Sequence, residues 1–156
     1  METSHATARM VLLALQAFQV GFLWLHDWIP LGGLNDVAAV RREDTPQRLI
    51  TITLIQSVPY SIGLIASTWY LGAAYPGWLV DWLWISYALL LLGQLRAWWL
   101  PYLILAEPKR ALRYRALFGN THAFLPMHNG MVPNTLHVLL HSATAATLIV
   151  LWASHR

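Results

Sequence analysis

LITITLIQSVPYSIGLIASTWYLGAAY, residues 49–75, contains no Asp, Glu, Lys, Arg or His. A helix needs about 20 apolar residues to cross roughly 30 Å of hydrocarbon. An uncharged run of this length suits lipid better than a soluble surface. Reading outward, a second run covers about 78–105, with Asp81 near its start, Arg96 further on and Pro101 inside it. Upstream, about 10–30 is apolar except for Gln16, Gln19 and, near its end, His26 and Asp27. The fourth run, about 136–153, carries His137 and His141 in its first two turns. Soluble helices rarely reach such lengths uncapped. The expected architecture is therefore all-α: an integral membrane four-helix transmembrane bundle forming one domain over residues 1–156.

Composition agrees. Hydrophobic residues make up 57% and charged residues 11%, against about 25% charged in a typical soluble domain. Mean hydropathy is +0.47. Cysteine is absent, which removes disulfides, thiolate metal sites and thiol redox chemistry. The net charge of +3 and pI near 9.6 do not point to nucleic acid, because the basic residues flank apolar spans. Anionic lipid headgroups attract each one by about 1 kcal/mol. The first run is too long for the apolar region of a signal peptide, and LHDW at 25–28 offers no small-residue cleavage site.

Eight of the ten Lys and Arg residues lie in or beside the two longer connections, about 31–48 and 106–133; only Arg9 and Arg156 belong to the other side. The positive-inside rule then puts both connections in the cytoplasm and both termini outside, as in a bacterial inner membrane. Trp28, Trp98, Trp99 and Tyr102 on one side, and Tyr75, Trp78, Trp82 and Trp152 on the other, are expected as interfacial belts. Within the long connection, Ala111, Tyr114 and Phe118 recur at helical spacing between Pro108 and Gly119. This predicts a short amphipathic helix on the inner leaflet.

The histidines carry the chemical expectation. His26, His137 and His141 fall at the cytoplasmic ends of the first and fourth spans, and His122 and His128 in the connection leading to the fourth. His137 and His141 are four apart, so both project from one side of a helix, a spacing that suits one metal ion. The Glu of a zinc-protease pattern is missing, since Val138 follows His137. These five histidines are the candidate metal ligands, for zinc, iron or manganese. Asp27 or Asp36 would orient a ligand or handle a proton, and Arg96 would grip an anionic group or pair with Asp27. The expected use is metal-assisted chemistry on a lipophilic small molecule entering from the bilayer, under cover of the 107–133 loop. Two alternatives stand beside it. Two imidazoles, such as His26 with His137 or His141, suit the axial positions of a haem in an electron-transfer subunit or membrane anchor. Alternatively the histidines serve only packing in a non-catalytic accessory subunit. Gln56, Ser57, Tyr60 and Gln94 read as interhelical glue. No phosphate-binding glycine loop, GxSxG motif or paired acidic motif occurs.

Overall fold

A computed structural model describes residues 2–154, with side chains from residue 6 onward. His155, Arg156 and the side chain of His5 lie outside the described residues. The described chain is helical throughout: 75% helix and no strand. The helices are α1 (Glu2–Leu25), α2 (Val37–Glu43), α3 (Pro46–Trp69), α4 (Gly77–Gln94), α5 (Leu100–Leu103), α6 (Pro108–Phe118) and α7 (Thr135–Ser154). Four segments are long and apolar enough to cross a membrane: Ala6–Leu25, Pro46–Trp69, Gly77–Leu103 and Thr135–Ser154.

These four form a square bundle in which α1 packs on α3 and α7, and α4 packs on α3 and α7. The end of α1, the start of α3, the end of α4 and the start of α7 meet at one end of the bundle, here called the histidine end. Large apolar side chains such as Ile55, Ile65, Trp69, Leu89 and Ile149 cover the outside. The inside is polar as well as apolar. Gln19 Nε2 donates to Thr147 Oγ1 (2.8 Å) and Gln19 Oε1 accepts from Thr144 Oγ1 (2.8 Å), joining α1 to α7. Gln16 exchanges hydrogen bonds with Ser67 (3.0 and 3.1 Å), joining α1 to α3. Gln94 Nε2 donates to Thr144 Oγ1 (3.0 Å), joining α4 to α7. All six side chains are buried. Apart from Gln94 Oε1, their mutual bonds give these enclosed polar groups partners.

Several boundaries differ from expectation: α1 begins at Glu2 rather than about 10, α3 ends at Trp69 rather than about 75, and two differences at the histidine end have local reasons. The first helix stops at Leu25 rather than near Pro30. The chain turns there through hydrogen bonds from Trp28 N and Ile29 N to Leu25 O. The Asn35 side chain fixes the turn by donating to His26 O (2.5 Å) and Ile29 O (2.8 Å). His26 and Asp27 therefore sit in a turn, and the 100° divergence of adjacent helical residues does not separate them. The third run is interrupted: Leu95–Trp99 is a π-helical turn in which Leu100 N bonds Leu95 O. Pro101 follows it with no N–H to continue the α-helical register, and π-turns gather at functional sites.

The connection of residues 31–48 is more ordered than its turn formers suggest. Asp36 caps α2, its Oδ1 accepting from Ala39 N (2.8 Å), and Thr45 caps α3 with Pro46 at the first helical position. Helix α6 occupies the expected span. It is docked over the histidine end, with Ala111 and Leu117 buried. Gly119 closes it at an ordinary φ of −61°. Glycine is needed there because a Cβ would come within 2.5 Å of Arg115 O.

Candidate functional site

Helices α3 and α4 touch closely at Gly63, where a Cβ would lie 3.1 Å from Leu83 Cδ2, and at Tyr60, whose hydroxyl donates to Ser86 O (3.2 Å). From there toward the histidine end they enclose a cleft of about 380 Å³, whose walls run from Tyr60 to Trp98. The exposed side chains of Ile55 and Leu89 belong to its mouth. Pro59 has no N–H to offer the carbonyl of Ile55 one turn earlier, a local weakening of α3 beside that mouth. His26, His137 and His141 are among the lining residues. A second cavity, about 250 Å³, lies toward the loops and includes Asp27, Asp44 and Arg113 in its walls. His26, Gln56, Trp98 and His137 line both cavities.

The imidazole states follow from their partners. Asn134 Oδ1 accepts from the backbone N–H of His137 (3.1 Å), so it is the oxygen end of that amide. It also lies 2.6 Å from His137 Nδ1, which must carry the proton. In the neutral ring the lone pair is then on Nε2, and no described residue bonds that atom. His141 is the opposite case. Trp99 Nε1, which can only donate, points at His141 Nδ1 (3.1 Å). The lone pair is therefore on Nδ1 and the proton on Nε2. His26 donates Nδ1–H to Phe22 O (2.9 Å), and its Nε2 lies 3.3 Å from Asp27 Oδ1. Gln94 also lines the cleft, and its buried Oε1 has no hydrogen-bond partner.

Aromatic rings hold this arrangement. His137 lies between Trp98 (centroids 4.5 Å) and Phe118 (4.9 Å), with His26 at 5.8 Å and His141 at 6.1 Å. Phe22 stacks on His26 at 4.4 Å. Trp98 also meets Tyr114 at 4.4 Å, which fixes α6 over the site. Arg113 Nη2 donates to both carboxylate oxygens of Asp44, each at 2.9 Å, and ties α6 to the end of α2.

The expected residues thus divide. His26, Asp27, His137 and His141 come together. His122 and His128 do not: both are exposed, and their Nδ1 atoms are occupied by Thr135 Oγ1 and Tyr102 O. Asp36 is the α2 cap and stands outside both cavities; the Ala39 N–H it accepts holds its carboxyl below the usual range. Arg96 is paired with Glu107 (2.6 Å), not Asp27, and points away from the cleft at 58% side-chain exposure. Hydrogen bonds from Arg110 and Arg96 hold the Glu107 carboxyl below its usual range. Among the described residues no group of three or more His, Asp or Glu is gathered to hold a metal ion, and the lone pair of His141 is already committed to Trp99. Phe22 and Trp98 pack directly on the imidazoles that a haem would have to separate.

Sequence reasoning missed several participants. Trp98 and Tyr102, expected in an interfacial belt, are buried. Gln56, expected as glue, makes no hydrogen bond among the described residues and lines both cavities. Asn134 was not singled out, although an Asn three residues before a helical His is a readable cap signal. Comparison with known protein families, with curated proteins and with solved structures finds no match to this chain.

Proposed function

We propose that the chain is an integral membrane protein that admits a lipophilic small molecule from the bilayer between α3 and α4 and presents its polar group to His137. The single observation behind this reading is that the two cavities share His26, Gln56, Trp98 and His137 in their walls. The α3–α4 cleft has its apolar mouth on the bundle's flank, among side chains that would face acyl chains. The second cavity, with Asp27, Asp44 and Arg113, lies toward the loops that the positive-inside rule assigns to the cytoplasm.

In this reading His137 Nε2 is the proton acceptor. Asn134 holds the competent tautomer by taking the Nδ1 proton, as an orienting group does for a catalytic base. His141, fixed by Trp99, offers Nε2–H as a donor. His26 and Asp27 stand next in line toward the loop-side cavity and provide a route for the proton. The chemistry this supports is proton transfer at the polar end of a lipophilic molecule. It replaces the metal-assisted scheme because the donors are not gathered for an ion.

The chain has no cysteine, so Ile55→Cys with Leu89→Cys places the only two thiols at the cleft mouth. The protein is reconstituted in nanodiscs and binding of tritiated farnesol, a lipophilic alcohol, is measured before and after clamping the pair with a short bismaleimide. The expected result is saturable binding that clamping abolishes. Binding unaffected by the clamp, or no saturable binding, overturns lateral admission.

A further inference from the structure

From the hydrogen-bonding capacity left in the cleft, and resting on the function proposed above, we infer that the molecule received there carries a free hydroxyl, alcohol or phenol, rather than an ether or a carbonyl. Two observations converge. His137 has its Nδ1–H committed to Asn134, so its free Nε2 accepts only. His141 is the reverse: its Nδ1 lone pair is committed to Trp99, leaving an Nε2–H that donates only. Both histidines line the same cleft.

A hydroxyl is the smallest group that answers both needs, because its proton satisfies His137 Nε2 while its oxygen accepts from His141. A ketone, aldehyde or ether accepts but cannot donate, and would leave His137 Nε2 unpaired in an enclosed site. Leaving a buried polar group unpaired is the asymmetry that makes such sites reject analogues lacking the matching donor. Gln56, whose amide both donates and accepts, tolerates either class and does not weaken the discrimination.

The test is competition against tritiated farnesol in nanodiscs, using unlabelled farnesol, farnesyl methyl ether and farnesal, with 4-nonylphenol and its methyl ether as a phenolic pair. Each free hydroxyl is expected to compete at least 10-fold better than its ether, and farnesol at least 10-fold better than farnesal. His137→Phe keeps the ring packing between Trp98 and Phe118 while deleting the acceptor, and the preference should shrink to within about 3-fold. Ethers and aldehyde that compete as well as the alcohols overturn the hydroxyl assignment and leave lateral admission standing. Absence of any saturable farnesol binding overturns both. A preference that survives intact in His137→Phe also overturns the inference, because the discrimination would then arise elsewhere.

Discussion

Gly93 lies on the α4 wall of the cleft, and a Cβ added there meets no heavy atom within 4 Å. Gly93→Leu therefore adds a side chain at the cleft wall without displacing a neighbour. Two effects of opposite sign follow. Replacing an interior helical glycine by a good helix former gains about 0.5–1 kcal/mol. For a chain of this size, 1 kcal/mol raises Tm by roughly 2–4 °C. The new side chain also occupies space that a ligand needs, and farnesol binding should weaken by at least 10-fold, or about 1.4 kcal/mol. Gly21, on α1, likewise has nothing within 4 Å of an added Cβ but does not line the cleft, so Gly21→Leu should gain the stability and keep the binding. The assay pairs thermal unfolding with tritiated-farnesol saturation for both variants in nanodiscs. A stable Gly93→Leu protein that binds as well as wild type would refute the placement of the ligand. A Gly93→Leu protein destabilised by several degrees would show that the cleft is closed at that point.

Three further outcomes are expected. Imidazole ¹⁵N spectra of the protein should report opposite tautomers at neighbouring positions, Nδ1–H for His137 and Nε2–H for His141; the same tautomer at both would break the donor–acceptor argument. Gln19→Leu should cost about 1 kcal/mol, since it deletes two interhelical bonds worth near 0.6 kcal/mol each, while Thr144 and Thr147 keep bonds to Leu140 O and Ala143 O. Its double-mutant cycle with Thr147→Val in an unfolding titration should return a coupling near 0.6 kcal/mol, and a coupling of zero contradicts the assigned bond. Because the Glu107 carboxyl is held below its ordinary range, its link to Arg96 and Arg110 should persist above about pH 4.3 and weaken as pH falls through the lowered value. Protease nicking near 104–108 should then rise only in acid, and Glu107→Gln should be nicked equally at all pH values.

The bundle was legible because charge-free runs such as residues 49–75 leave few alternatives; helix α2 was not, although Asp36 and Thr45 are cap residues at the starts of α2 and α3. The end of α1 was not legible. Asn35 sets it by reaching back to His26 and Ile29, a contact made only after the chain has turned. The histidine cluster was half legible: spacing and polarity placed His26, His137 and His141 at one end, but not the protonated nitrogen of each. Those states depend on Asn134 and Trp99, one in the helix start and one in the π-turn. Arg96 and Asp36 read as functional because charge near an apolar span invites it; their partners Glu107 and Ala39 N are a separate segment and a cap. The threonines Thr144 and Thr147 were silent in the sequence because a hydroxyl barely interrupts an apolar run, although in the fold they receive Gln19.

The most direct measurement is photo-crosslinking in native membranes with a farnesol analogue bearing a diazirine near its hydroxyl, followed by mass-spectrometric mapping of the adducts. Labelling should concentrate on the π-turn around Trp98 and on the start of α7 around His137, and fall away when unlabelled farnesol is added. Adducts spread over outward-facing positions such as Ile65, Trp69 and Ile149, with no competition by farnesol, would contradict a hydroxyl-reading site inside the bundle.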